Sequence, residues 1–258
     1  MKNVVQIKEV NSSIKNRREF LKISGLTVLS TGLLLSSCNN DDNLILSPNS
    51  IALTSKYGKG HFPGTKDGVF DLGAGDLGIL TYAYALEQLE ADFYTKVVNA
   101  SGFTSNFTAE DQQVLQDLYY HEVIHREFFK TALTGALPNP KKQLLPDLEF
   151  NYGSLNFSSR SQVLATAKAL EDTGVAAYNG AGRLISNPDY LLLAGKIVSV
   201  EARHASAIRS LINPNSKDFA GDDVVDTTTG LDVKKNPSEV ITIAAGFITT
   251  TFTALYLP

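Results

Sequence analysis

The sequence has one cysteine, four histidines and no strong excess of charge of either sign. A single thiol, Cys38, excludes an internal disulfide framework, a cysteine-rich metal site and a rubredoxin-like electron-transfer module, which needs four thiolates. The net charge of −4 leaves no basic footprint, so nucleic acid is not expected as a partner. Long apolar runs are also scarce. The stretch "ISGLTVLSTGLLLSS" (23–37) is short and rich in Ser and Thr for a membrane span. The tail from 240 is long enough to span, but its threonines and lack of flanking positive charge read as a packed helix or strand pair. What remains, at 258 residues and 43% hydrophobic, is enough for one domain with a sizeable core and extensions.

The amino terminus carries two signals in order. "NRREFLK" (16–22), with adjacent Arg17 and Arg18, resembles the twin-arginine export signal, and "LSSC" (35–38) resembles a lipobox. Together they imply that residues 1–37 are removed. The mature chain would then be exported and held to a membrane of the bacterial cell envelope by acyl chains on Cys38, in the periplasm or, given the following "CNNDDN", at the outer surface. The twin-arginine route carries folded proteins, which suits a protein that takes up metal before export. Residues 38–70, rich in Asn, Ser, Gly and Lys with no sustained period, read as a tether.

From about residue 76 the period becomes helical. The first helix carries Leu80, Ala83, Tyr84, Glu87, Ala91 and Tyr94 on one stripe and stops at Gly102. The second starts at Thr108 as N-cap with Asp111 three residues on, has the stripe Leu115, Leu118, Glu122, His125, Phe129, and stops at Gly135. A third, from Ser161 to about Ser186, aligns Leu164, Ala167, Glu171, Gly174 and Tyr178. The fourth is capped at Asn187-Pro188, carries Ala194, Ile197, Glu201, His204 and Ile208, and ends at Asn213-Pro214. Short connections make two antiparallel hairpins, and some two dozen residues (135–158) with three prolines join them. The expected fold is all-α: a four-helix bundle over 71–215 of two hairpins and one long crossover, with an extension of unassigned role at 216–258.

Each stripe carries polar residues where a bundle wants leucine. Glu87 and Glu171 stand alone on their helices, while Glu122-x-x-His125 and Glu201-x-x-His204 put a carboxylate and an imidazole on one face. One Glu from each of two helices and a Glu-x-x-His from each of the other two is the pattern of di-metal carboxylate bundles. Random placement of 11 glutamates and four histidines predicts roughly 0.2 such pairs, yet two occur. "ALEQLEADFY" (85–94) and "ALEDTGVAAY" (169–178) share A-L-E and a tyrosine seven places after the Glu, which suggests repeated hairpins. Glu90 lies one turn from Glu87 and competes with it, but the matching tyrosine favours Glu87. Tyr94 and Tyr178 read either as core aromatics with bonded hydroxyls or as redox or hydrogen-bonding partners of the site. His61 reads as a loop residue.

On these residues the chain resembles the ferritin-like superfamily, and "YALEQLEADFY" is similar to exported bacterial ferritin-like domains of the desiccation-related type. The resemblance implies that Glu122 and Glu201 bridge two metals and that Glu87, Glu171, His125 and His204 are terminal ligands. Carboxylates and imidazoles suit iron or manganese. The leading expectation is two iron ions reacting with O2 or H2O2 as a ferroxidase or peroxidase in stress protection, with an unknown reductant and an oligomer permitted. The alternatives are a manganese catalase-like enzyme with two manganese ions and a metal-binding stress protein without turnover. A further alternative is an H-E-x-x-H zinc peptidase using His121, Glu122 and His125; its longer form fails because Phe128 and Thr131 occupy the Gly and His positions.

Overall fold

The computed structural model describes residues 60–258; the expectations for the export signal, for Cys38 and for the tether as far as residue 59 lie outside the described residues. The described chain opens with β1 (Gly64–Lys66) and β2 (Val69–Asp71), an antiparallel hairpin in the register Gly64↔Asp71 and Thr65↔Phe70. Sequence reading placed these residues in the tether. The turn explains the difference: Asp67 and Gly68 both take positive φ, 51° and 82°, as a tight two-residue hairpin turn requires. That Asp-Gly signal is in the sequence, but the strands it joins are too short to show a period.

Four long helices follow, interspersed with short ones: α1 (Gly75–Val98), α2 (Phe103–Asn106), α3 (Ala109–Ala136), α4 (Pro140–Gln143), α5 (Arg160–Gly182) and α6 (Pro188–Ile212). α1 packs along α3 and α5 along α6, so each short connection closes a hairpin, and the two hairpins face each other through α1 against α5 and α3 against α6. The protein is an all-α bundle of ferritin-like form, with only a small sheet beside it.

The helix starts are local chemistry. Thr108 accepts from the backbone of Asp111 at 3.1 Å and Asp111 accepts from the backbone of Thr108 at 2.8 Å, a reciprocal capping box. The same carboxylate takes two hydrogen bonds from Arg160, each 2.7 Å, and Arg160 also donates to the carbonyl of Leu211. Three helix ends are thereby locked together. Asn187 caps α6 by accepting from Asp189. α5 stops at Gly182 rather than near Ser186, because Asp76 on α1 accepts the backbone N–H groups of Ser186 and Asn187 and holds that segment as a turn.

α1 is buried nearly all round, which marks a helix covered on every side. α3 and α5 take two faces. The crossover covers another: Gln88 donates to the carbonyl of Pro146 and accepts from the N–H of Leu148, and Tyr152 donates to Asp92. Phe93, Tyr152, Phe157 and Phe247 form an aromatic cluster over this seam.

Residues 216–258 wrap the bundle. Buried Arg209 on α6 bonds Asp172 and Asp223, the N–H of Lys235 donates to the carbonyl of Ala176, and α7 (Pro237–Ala244) lies against α5. β3 (Phe252–Thr253) then pairs parallel to β2, with Phe70 opposite Phe252. The apolar tail is thus a packed helix followed by a strand, and no described helix is long and apolar enough to cross a membrane. His61 lies in a loop, stacked on Tyr256.

Gly180 makes the wrap possible, since a Cβ there would lie 1.7 Å from the carbonyl oxygen of Lys235. Gly180→Ala should push residues 233–236 off α5, lower stability by about 1–3 kcal/mol and speed proteolysis of the extension, measured by thermal melts and timed digestion.

Candidate metal centre

The four stripes converge inside the bundle. Glu87 on α1, Glu122 on α3, Glu171 on α5 and Glu201 on α6 have no exposed surface, His204 is 3% exposed, and the His125 side chain is 12% exposed. Their polar atoms fall into two quartets, each with its ligand atoms within 4.8 Å of one another: Glu87, Glu122, His125 and Glu201, then Glu122, Glu171, Glu201 and His204. His125 Nδ1 lies 3.0 Å from Glu201 Oε1 and 3.4 Å from both Glu122 Oε2 and Glu87 Oε2. His204 Nδ1 lies 2.8 Å from Glu122 Oε1, 3.4 Å from Glu171 Oε2 and 3.5 Å from Glu201 Oε2. Glu122 and Glu201 therefore belong to both quartets, one oxygen turned to each.

The remaining oxygens are accounted for by tyrosine. Tyr94 on α1 donates to Glu171 Oε1 at 2.5 Å, and Tyr178 on α5 donates to Glu87 Oε1. Each tyrosine serves the glutamate of the other hairpin, and each outer glutamate is left with one free oxygen, Oε2. Burial first, then the glutamate charges, raises both phenols well above their ordinary range, so they remain donors. The tyrosines are at once core aromatics and partners of the cluster.

A test of fit lies in the atoms left over. Glu87 Oε2, both oxygens of Glu122 and of Glu201, Glu171 Oε2, His125 Nδ1 and His204 Nδ1 are buried and lack any hydrogen-bond partner. Buried polar atoms are almost always paired. Here eight orphaned donor atoms from six residues face two common points, at contact distance but without hydrogen-bond geometry. Two divalent cations would satisfy them and would cancel four negative charges. The residues fit a pair of metal ions.

His121, the first residue of the H-E-x-x-H alternative, has a defined place. Its Nδ1 is 2.9 Å from His204 Nε2, with the rings stacked at 5.1 Å. His121 belongs to neither quartet. The peptidase reading would put His121 and His125 on one ion with Glu122 standing off as base, whereas Glu122 here sits among the donors. Glu90 is also not in either quartet; it is buried beside Gly174, and burial followed by the charge of Glu201 raises its carboxyl well above the usual range.

A sequence model of the ferritin-like domain matches residues 75–214, more than half of the chain. The chain belongs to the ferritin-like family. No curated protein matches it. In this ferritin-like protein the matched span begins with α1 and ends just past α6, so it contains every helix that contributes to the cluster.

Without metal, the cluster is an electrostatic load that depends on pH. Burial, then the charge of Glu201, pushes Glu122 from 4.5 up to about 8. Burial opposes charge on His125, but Glu122, Glu201 and Glu87 around it outweigh that and push it from 6.5 up to about 12. Glu201 moves down, because the histidines outweigh its burial. A raised folded-state pKa contributes stability that is complete below the unfolded value and lost as pH rises through the folded one. Glu122 loses its contribution between 4.5 and about 8, and His125 begins to lose its own above 6.5. The contribution of Glu201 is lost only in acid. Metal-free protein should therefore become less stable as pH rises from about 5 to about 8.5, and saturating Mn(II) should remove that loss. Denaturant midpoints at the two pH values, with and without metal, test this.

Proposed function

We propose that this ferritin-like protein is a di-metal carboxylate oxidoreductase of the bacterial cell envelope that consumes O2 or peroxide. The observation that carries the reading is the sharing of Glu122 and Glu201 between the quartets, one oxygen to each, which suits two ions held close together. Glu122 and Glu201 would bridge; Glu87 with His125 and Glu171 with His204 would complete the two positions. The donor set favours iron, with manganese next. A pair of iron ions held there would supply the two electrons that reduce peroxide to water, giving a ferroxidase or peroxidase activity of use under oxidative or drying stress.

The protein's own groups are arranged for that work. Burial excludes bulk water, which strengthens every charge interaction within the cluster. Tyr94 and Tyr178 hold the outer carboxylates through one oxygen and keep their protons. His121 and His204 share one proton between Nδ1 and Nε2, which orients the His204 ring. Below the Tyr178 side lies an apolar cavity of about 30 Å³ lined by Ile79, Tyr82, Phe129, Tyr178 and Ile197, room for one small oxidant molecule.

The resemblance of the amino terminus to a twin-arginine lipoprotein signal supports export of the folded, loaded protein and a membrane anchor at Cys38. Replacing Cys38 by Ser should abolish incorporation of radiolabelled palmitate and release the protein from the membrane fraction.

The activity is tested on protein exported by its own route. Wild type should carry two iron ions per chain, oxidise Fe(II) and consume H2O2. His204→Ala should carry one and lose more rate than the about 10–100-fold that loss of a ligand's hydrogen-bonding partner costs. Manganese with H2O2 disproportionation would favour the catalase-like alternative, bound metal without turnover the binding-protein alternative. One zinc per chain with peptide cleavage would overturn the reading.

A further inference from the structure

One residue of the H-E-x-x-H motif belongs to neither quartet and yet touches one of them. His121 on α3 is exposed. Its ring stacks on that of buried His204, 11° from parallel, and its Nδ1 lies 2.9 Å from His204 Nε2. The other nitrogen of His204, Nδ1, is the one that faces Glu122, Glu171 and Glu201. His204 is therefore engaged on both sides, inward and outward. His125 is engaged on one: its Nδ1 faces Glu87, Glu122 and Glu201, and among the described residues none makes a hydrogen bond or an ion pair with its Nε2. The two half-sites differ here in sequence as well. Glu122 is preceded by His121, whereas Glu201 is preceded by Val200, whose side chain has neither donor nor acceptor.

The chemistry of an imidazole ligand fixes where the hydrogens lie. A neutral ring that gives its Nδ1 lone pair to a cation carries its hydrogen on Nε2. At 2.9 Å that hydrogen is donated to His121 Nδ1, which leaves His121 with its own hydrogen on Nε2. The contact does two things for His204. It holds the ring with Nδ1 turned into the cluster, and an acceptor for the Nε2–H raises the basicity of Nδ1 as a ligand. His125 has no such partner.

We propose that His121 is the positioning residue of the Glu171–His204 metal position: it fixes the ring and the tautomer of His204, so that this position binds its ion more tightly than the Glu87–His125 position does. This rests on the two-metal reading given above. His121 is not itself a ligand and acts through His204 alone. The pair then fills in order, the Glu171–His204 position first. The histidine that would hold zinc in a peptidase here makes one of two similar half-sites the stronger.

The test uses the full chain, stripped of metal and titrated with Co(II), whose visible absorption reports its coordination and whose binding is followed by calorimetry. Wild type should bind two Co(II) in two distinguishable steps. His121→Phe keeps a flat ring against His204 but removes the acceptor; it should still bind two, with the tighter step weakened by about 10–100-fold and a changed spectrum. His121→Asn has no ring but sets a carbonyl oxygen where Nδ1 stood, and it should restore most of the lost affinity. Both variants change an exposed residue and leave the core intact. In a His204→Ala background, His121→Phe should have no effect on the one ion that remains. Two Co(II) bound by His121→Phe with wild-type affinities and spectrum would overturn the proposal and leave the two-metal reading intact. Equal weakening by His121→Phe and His121→Asn would overturn the hydrogen bond as its cause. Weakening of the ion retained in the His204→Ala background would overturn the action through His204. Failure of wild type to bind two Co(II) would overturn the proposal and the two-metal reading together.

Discussion

Four carboxylates and two imidazoles meet where a bundle of this kind would otherwise pack leucine, and the electrostatic cost of that meeting governs the rest of the molecule. Like charges in a dry interior repel one another and lose hydration worth several kcal/mol each. The fold does not relieve this with arginine or lysine: among the described residues the buried cation is Arg209, which is committed to Asp172 and Asp223 on the outer side of α5 and α6. What the fold supplies is geometry. Tyrosines fix one oxygen of each outer glutamate, a histidine orients His204, and the free atoms are aimed inward. The bundle tolerates its own charge because it is built to take up cations.

Much of this could be read from the sequence, for a physical reason. A helical face repeats over many residues, so Glu87, Glu122-x-x-His125, Glu171 and Glu201-x-x-His204 declare themselves by spacing, and caps such as Thr108 and Asn187 mark where their helices begin. The structure brings all six side chains together, and the tyrosines of the repeated phrase bind the opposite hairpin's glutamates. The partners in tertiary approach were illegible. Nothing in the neighbourhood of His121 says that it meets His204, which lies 83 residues away. Glycines such as Gly174 and Gly180 permit close approach to α5, but the sequence does not say that a carboxylate comes near the first and the backbone of Lys235 near the second. The hairpin at 64–71 and the strand at 252–253 are too short for any periodic signal.

The internal repeat is therefore instructive where it holds and where it fails. It holds for the charges, the imidazoles and the crossed tyrosine bonds, which gives two similar half-sites. It fails on the flanks. His121 has a partner in His204, whereas the corresponding position before Glu201 is Val200, and Glu90 faces a glycine instead of another acid. His125 is also the more open of the two imidazoles. Duplication supplies equal halves, and single substitutions around them set the halves apart.

The small sheet adds a constraint of a different kind. β2 immediately precedes α1, while its parallel neighbour β3 comes after every helix, with Phe70 opposite Phe252. Helical hairpins close through nearby residues and form quickly; a ladder between segments so distant in sequence must wait for a large loop to close. Leu257, carried by this last segment, packs beside Gly78 under the start of α1. A nascent chain can thus assemble its four rods early, but the apolar floor beneath the first of them is laid only when the final strand arrives.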